Sequence, residues 1–170
     1  MTSQAMAEVG VYNFEYAGGS FPIHLRTQGR FFCPQYQARA VYEVEGNVIR
    51  IDWGKFGKYE LTSSDGGRTW AGSYIGEPGN WRKMQFARPF SVAEQCIFDS
   101  KWDFEHPGGH FEVEFRADGF NHFICNDFPA HSHWSCVLRH RTNLAQPTVS
   151  TSTYPTTHSL TCSNRRLRTD

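Results

Sequence analysis

Hydrophobic and polar residues alternate along most of the chain up to residue 139. From Phe111 to Arg116, three hydrophobic residues lie on one face and three charged residues on the other. From Val48 to Trp53, Ile49, Ile51 and Trp53 alternate in the same way with the charged Arg50 and Asp52. This period of two is typical of β-strands that bury one face and expose the other. Turn-forming residues interrupt the pattern about every 8 to 12 residues, which favours antiparallel hairpins over βαβ crossovers. The sequence therefore predicts an all-β fold.

The runs between these turns predict twelve strands and one short helix. The strands are expected near residues 10–17, 20–27, 30–34, 39–45, 48–54, 58–63, 68–75, 81–88, 101–105, 110–117, 120–126 and 132–139. Ser91 can cap a helix that begins at Val92, with Glu94 completing a capping box. Gly54 and Gly57 are expected to supply the unusual backbone angles of a tight turn, because their segment lacks the GxxxxGK[ST] pattern of a phosphate loop.

An internal repeat divides the chain. The segment Tyr12–Gly29 aligns without gaps on Trp102–Gly119 at an offset of 90 residues. Seven positions are identical, namely Phe14, Glu15, Gly18, Gly19, Phe21, Arg26 and Gly29 with their partners. After a two-residue insertion, residues 31–42 align on residues 123–134. We expect one full repeat unit over residues 10–100 and a partial second unit over residues 101–139.

About eight strands in the full unit predict an up-and-down antiparallel β-barrel, because closure removes the exposed edges of a long meander. A two-sheet β-sandwich is the alternative. We expect residues 1–9 to be flexible, residues 10–142 to form a single barrel domain, and residues 143–170 to be a disordered Ser/Thr-rich tail. Over residues 10–139 the strand pattern resembles calycin-type barrels, the lipocalin, fatty-acid-binding and nitrobindin-like group. Gly10-Val11-Tyr12 is the nearest approach to the lipocalin Gly-x-Trp opening, and we assign no family.

Composition and charge narrow the function classes. Seventeen basic residues balance seventeen acidic ones, so the electropositive field that nucleic-acid binding requires is missing. The chain has neither an apolar run of about 20 residues nor a basic start followed by an apolar stretch. We therefore expect a soluble, cytoplasmic protein without a membrane span. The five cysteines are widely spaced and form no CxxC pair, which favours free thiols over disulfides.

The last strand of the full unit offers a candidate ligand site. Arg82 and Arg88 share the parity of Met84 and Phe86, so both guanidinium groups point into the barrel if the apolar pair does. A buried guanidinium needs an anion or an aromatic face to offset its desolvation. We predict that these arginines anchor a small apolar or acidic ligand in a cavity lined by Trp53, Trp70, Trp81 and Phe86. The alternative is that an arginine closes the barrel end by stacking on an aromatic ring of the first strand.

A pair of histidines suggests a second kind of site. His131 and His133 lie two apart on a predicted strand and so share a face, as two zinc-ligating imidazoles require. His122 is a possible third ligand, and Asp127 lies close in sequence. If Trp134 faces the core, however, both histidines on that strand face solvent.

Three functions follow from these patterns. The leading hypothesis is a non-enzymatic barrel that binds a small ligand and carries no cofactor. The first alternative is a structural or interaction module that binds a protein partner or forms a homo-oligomer. The oligomeric state would distinguish this alternative from the leading hypothesis. The second is a metal-dependent enzyme that uses the histidines with zinc, although the sequence shows none of the GxSxG, HExxH or Cys/His catalytic signatures.

Overall fold

A computed structural model describes residues 7–129, 132–137, 148–153 and 156–161 of the chain. The chain forms two compact units. The first unit comprises residues 1–90 and 118–120, and the second comprises residues 91–117 and 121–170. The repeat boundary expected at residues 100 and 101 falls at the start of the second unit's first strand.

The first unit is a closed antiparallel barrel of eight strands, in which each strand pairs with its neighbour in sequence and the eighth pairs with the first. The strands are β1 (Gly10–Tyr16), β2 (Gly19–Arg26), β3 (Arg30–Phe32), β4 (Val41–Glu45), β5 (Val48–Asp52), β6 (Lys58–Ser63), β7 (Thr69–Tyr74) and β8 (Glu77–Arg88). The predicted up-and-down barrel is thereby confirmed, and the sandwich alternative is not adopted.

Alternate side chains of the strands fill the barrel, as the period of two predicts. The largest of the fully buried side chains are Trp70, Tyr12, Phe14, Phe31, Ile23, Leu25, Ile49, Ile51, Leu61 and Met84. Each such side chain contributes roughly 1.5–3 kcal/mol through its removal from water. The barrel therefore has a packed aromatic and aliphatic interior over most of its length.

The connection from β5 to β6 shows why its two glycines are needed. It contains a short 3₁₀ turn, Gly54–Phe56, and the backbone φ is 54° at Gly54 and 97° at Gly57. A Cβ atom at Gly57 would collide with the ring of Tyr74. Asp52 fixes the start of the turn, because its Oδ1 accepts a hydrogen bond of 3.1 Å from the backbone N–H of Gly54. The predicted tight turn is confirmed, and it places Phe56 at the end of the barrel where β5 and β6 are connected.

The second unit begins with the predicted helix, α1 (Val92–Ile97). Its capping box is present: the backbone N–H of Glu94 donates to Ser91 Oγ over 3.2 Å, and the backbone N–H of Ser91 donates to Glu94 Oε2 over 2.8 Å. None of the helices in the described ranges is long and apolar enough to cross a bilayer.

A six-stranded antiparallel sheet follows the helix, in the order β14-β13-β12-β11-β10-β9. Its strands are β9 (Ser100–His106), β10 (Gly109–Phe115), β11 (His122–Cys125), β12 (Ser132–Val137), β13 (Thr148–Thr153) and β14 (Thr156–Thr161). The last two strands lie where the sequence was expected to form a disordered tail. Their threonines are β-branched, and β-branched residues favour extended backbone even where hydrophobic alternation is absent.

The repeat is reproduced in the strand register of the two units. Phe14 lies opposite Phe21 in the β1–β2 hairpin, and their repeat partners Phe104 and Phe111 lie opposite each other in the β9–β10 hairpin. Both pairs of rings are stacked, with centroids 5.5 Å and 5.8 Å apart. The next pairing agrees as well, because Leu25–Phe31 in the first unit corresponds to Phe115–Phe123 in the second.

A hydrogen bond recurs at equivalent positions although the donor residue differs. Tyr42 Oη donates to the backbone carbonyl of Arg26 over 2.8 Å. At the aligned position Trp134 Nε1 donates to the carbonyl of Arg116, the repeat partner of Arg26, over 2.9 Å. The two units thus share backbone pairing and one buried polar contact, in addition to their sequence identities.

Candidate ligand site

One end of the barrel contains an aromatic cavity of about 150 Å³. It lies where the β1–β2, β3–β4, β5–β6 and β7–β8 connections meet, so loops and strand ends form its walls. The residues that line it are Phe14, Tyr16, Phe21, Tyr36, Trp53, Phe56, Tyr59 and Arg82. Seven aromatic rings and one guanidinium group thus define the chemistry of this space.

The strand pattern explains how these side chains converge. Phe14 and Tyr16 occupy alternate inward positions of β1, and Phe21 follows them across the hairpin. The 3₁₀ turn places Trp53 and Phe56 beside them. Each residue is inward-facing because of its parity or its turn, which is why rings distant in sequence meet at one end.

Trp53 is the centre of the aromatic cluster and is only 3% exposed. Its ring centroid lies 4.7 Å from that of Phe31 and 5.7 Å from those of Phe14 and Phe56. The indole Nε1 donates a hydrogen bond of 2.9 Å to the carbonyl of Tyr36. Edge-to-face contacts and this hydrogen bond fix the indole plane, so the deeper wall of the cavity is preorganised.

Arg82 is the one charged residue among the described residues that line the cavity. Its guanidinium carbon lies 5.1 Å from the ring centroid of Tyr59 and 5.7 Å from that of Tyr16, in cation–π geometry. The nitrogen Nη1 donates to Asn80 Oδ1 over 2.5 Å and to the Trp81 carbonyl over 2.7 Å. Over the part of the chain that the structure describes, neither Nε nor Nη2 of Arg82 has a protein acceptor, and no carboxylate pairs with it.

This arrangement leaves part of the guanidinium fork available. Arginine carries five N–H donors in one plane, and the Nε–Nη2 edge is the one that binds a carboxylate in a bidentate manner. Asn80 holds the opposite side of the group, while two tyrosine rings support its face. Arg82 therefore stacks on Tyr16 of the first strand, while its Nε and Nη2 have no acceptor among the described residues.

Three buried or half-buried ionisable side chains of the first unit have raised pKa values. Burial raises the pKa of the Cys33 thiol above its ordinary value, and burial likewise raises the pKa of the Tyr12 and Tyr42 hydroxyls. Tyr12 Oη donates to the Glu8 carbonyl over 2.9 Å, which satisfies it in its neutral form. A nucleophilic cysteine needs a lowered pKa, so Cys33 is a structural thiol.

The other residues of the predicted ligand site lie elsewhere. Trp70 is fully buried in the core and donates from Nε1 to the Gly67 carbonyl over 2.9 Å. Phe86 is half-buried against Tyr12, with ring centroids 5.3 Å apart. Trp81 is 44% exposed, and Arg88 is exposed with Nη1 donating to the Pro89 carbonyl. The structure thus brings Arg82 and Trp53 together at the cavity and leaves the other four outside its lining.

Most of the cavity residues are not singled out by the sequence as ligand contacts. Phe14, Phe21 and Tyr36 recur in the repeat, which by itself indicates core positions. Tyr16, Phe56 and Tyr59 carry no signal of their own, and neither does Asn80, which contacts Arg82. The parity of β8 that singles out Arg82 is the signal that leads to this end of the barrel.

The histidine site is described only in part. His131 lies outside the described residues. His133 lies opposite His122 across β11 and β12, with ring centroids 5.4 Å apart and planes inclined by 30°. Within the described ranges no group of three or more His, Cys, Asp or Glu side chains could hold a metal ion. Zinc binding by these histidines stays a prediction.

Comparison with protein-family models, with curated proteins and with solved structures finds no match to this chain.

Proposed function

We propose that the first unit is a non-enzymatic binding barrel for a ligand with one apolar ring and an acidic group. The ring would occupy the aromatic cavity, and the acid would bind the Nε–Nη2 edge of Arg82. The observation that carries the proposal is this guanidinium group, which borders an aromatic cavity and retains donors that no described residue accepts.

The size of the cavity limits the ligand. A volume of about 150 Å³ matches that of an engineered apolar cavity known to bind benzene. A single six-membered ring fits this space, whereas a long fatty-acid chain exceeds it. The proposal therefore narrows the small apolar or acidic ligand expected from the sequence to a one-ring acid, of which benzoate is the simplest example.

The charge of the cavity selects an anion over a cation. Clustered aromatic rings usually attract cations to their faces. Here the guanidinium of Arg82 already lies over the faces of Tyr59 and Tyr16. A second cation would be repelled at close range, and a carboxylate would be attracted.

The lining also favours binding over catalysis. Among the described residues, those that line the cavity include no carboxylate, imidazole or thiol that could act as a general base or nucleophile. The Tyr59 hydroxyl is committed to the Phe56 carbonyl over 2.7 Å. Such a cavity can hold and orient a ligand without offering groups for proton transfer.

The test is calorimetric titration of the full chain with benzoate, benzyl alcohol and benzylammonium. We expect benzoate to bind best, benzyl alcohol to bind more weakly, and benzylammonium not to bind. Arg82→Met should weaken benzoate about tenfold, the effect of losing a charge-assisted hydrogen bond at a partly exposed site. The same substitution should leave the affinity for benzyl alcohol unchanged. Arg88→Met removes an exposed arginine from the same strand and is the matched control. Absence of binding by all three compounds would contradict the proposal, as would equal binding by the three.

A second candidate function is an interaction module. The specific observation in its favour is the sheet of the second unit, which ends in the strand β9 at one side.

A further inference from the structure

The edge strand β9 corresponds to a strand that is paired on both sides in the first unit. β1 aligns on β9 at an offset of 90 residues, and both strands have the same register with the strand that follows them. In the barrel, the other side of β1 is occupied by β8. In the second unit, the described residues place β9 at the end of the sheet with β10 as its neighbour. The outer side of β9 is thus equivalent to a side that accepts a strand in the same protein.

The barrel shows which residues suit this side. On β8, Lys83 lies opposite Glu15, and Met84 lies opposite Phe14. A basic residue therefore faces the glutamate, and the apolar residue that follows it faces the phenylalanine. Glu105 and Phe104 are the repeat partners of Glu15 and Phe14, so a strand that suits β9 should carry a basic residue followed by an apolar one.

β9 itself contains this pair, as Lys101 followed by Trp102. We propose that β9 pairs antiparallel with β9 of a second molecule of this chain, with the two-fold axis at Asp103. In this register Lys101 lies opposite Glu105 of the second molecule, and Trp102 lies opposite Phe104. The symmetry repeats both contacts, so the interface contains two ion pairs and two aromatic pairs.

Charge selects this register over its neighbour. A two-fold axis at Phe104 would place Asp103 opposite Glu105, and like charges directly opposite are destabilising. The axis at Asp103 leaves one like-charged contact, between the two copies of that residue. The side chains of Lys101, Asp103 and Glu105 are all exposed, as residues on the outer face of such an interface must be.

The aromatic residues on the apolar face of β9 also favour pairing with β9 of a second molecule. Phe104 and Trp102 are half-buried, and the ring of Phe104 stacks on Phe111. Phe111 in turn contacts Phe128, which is 62% exposed. The equivalent wall in the first unit is covered by Trp53 and its neighbours. Trp102 of a second molecule would extend the apolar cover across this side of the sheet.

One existing contact competes weakly with the proposed ion pair. Lys101 Nζ lies 3.0 Å from Glu112 Oε1 within the sheet, and the two side chains are 59% and 50% exposed. An exposed pair of this kind contributes at most about 1 kcal/mol. It therefore leaves Lys101 able to bind Glu105 of the second molecule.

Sedimentation velocity of the full chain over a range of concentrations tests the proposal. We expect a reversible dimer. Lys101→Glu and Glu105→Lys should each weaken it at least tenfold, because two attractive pairs become repulsive. An equimolar mixture of these two variants should form heterodimers, since both ion pairs across the interface are then attractive again. The carboxylate introduced at position 101 faces the ammonium group introduced at position 105, and the unchanged Glu105 faces the unchanged Lys101. Asp103→Asn should strengthen the dimer by removing the like-charged contact.

The controls separate this interface from a loss of folding. Lys58→Glu reverses an exposed lysine on β6, where it pairs with Asp52 much as Lys101 pairs with Glu112, and it should leave the dimer intact. Heterodimers in the mixture also show that both variants are folded. The proposal is overturned by a chain that stays monomeric at every concentration. It is equally overturned by a dimer that Lys101→Glu leaves unchanged, or by variants that do not restore each other.

Discussion

Truncation of Trp53 gives the sharpest test of the aromatic cluster. We predict that Trp53→Ala destabilises the first unit and that free indole restores much of the loss. The indole side chain is 3% exposed, contacts rings on several strands, and donates a hydrogen bond to the Tyr36 carbonyl. Its removal leaves a space that the surrounding closed barrel cannot easily collapse into.

The expected magnitude follows from the burial of the side chain. Truncation of a buried tryptophan to alanine costs about 3–5 kcal/mol, which includes the loss of ring contacts such as that with Phe31 at 4.7 Å. The hydrogen bond to Tyr36 adds little beyond this, because Tyr36 is 38% exposed and water can replace the donor.

Rescue by indole measures the shape of the vacated space. A ligand at a hundred times its dissociation constant stabilises the native state by about 2.7 kcal/mol. Indole at that level should therefore recover roughly half or more of the loss in Trp53→Ala. The wild-type barrel should gain less, because the Trp53 side chain already fills the space that indole would occupy in the variant.

Urea unfolding followed by near-ultraviolet circular dichroism measures these effects, with separate transitions fitted for the two units. Trp81→Ala is the matched control, because Trp81 is 44% exposed and its truncation should cost under about 0.5 kcal/mol. If the alanine variant does not fold, Trp53→Phe can be measured in its place, because it keeps one ring and should lose less free energy of unfolding. A cost below about 1 kcal/mol for Trp53→Ala would refute the reasoning. So would equal stabilisation of wild type and variant by indole.

Two further predictions concern polar contacts of the barrel. The backbone N–H of Thr69, together with Ser63 Oγ, donates to Asp65 and holds the pKa of that carboxyl at about 2. Because the folded pKa lies below the ordinary value, the stabilisation is complete above about pH 4 and is lost as the pH falls toward 2. Asp65→Asn should lower the Tm at neutral pH and flatten its decline in acid, as thermal unfolding over this pH range would show; an unchanged acid decline would contradict this. Tyr42→Phe should cost about 1 kcal/mol in urea unfolding, because the Arg26 carbonyl loses its donor. A change under a few tenths would show that this contact is replaced by water.

The barrel could be predicted because its rules are local. Alternation assigns each strand a buried face, and turn residues set the strand length. For residues 10–88 a closed antiparallel barrel is the fold that buries all of these faces and leaves no strand edge exposed. The last two strands, Thr148–Thr153 and Thr156–Thr161, were missed for the same reason. They lack hydrophobic alternation, and only the β-propensity of threonine marks them.

The residues that line the cavity were predicted in part, and a β-bulge explains one of the differences. The parity of β8 correctly grouped Arg82 with the buried Met84. Arg88 should have shared that parity, but the β1–β8 register shifts between Val11 and Tyr12. Such a shift changes the direction in which the side chains beyond it point. Its position could not be predicted from the residue types in this segment. Trp70 differs for another reason: it is inward-facing as expected, but it lies deeper, where packing fills the barrel.

The repeat suggests why the two units would differ in function while sharing a backbone pattern. The aligned segment carries Phe14, Phe21 and Tyr36 into the second unit as Phe104, Phe111 and Phe128. It does not carry Trp53 or Arg82, which lie beyond the aligned residues. One aromatic wall is therefore present twice, but the facing wall and the guanidinium group are aligned only once. In the first unit the repeated aromatic residues face Trp53 and Arg82, and together they enclose a cavity. In the second unit the repeated aromatic residues have no aligned counterpart of Trp53 or Arg82. The same four-strand pattern thus carries the two proposals, a ligand site in the barrel and a strand-pairing interface in the open sheet.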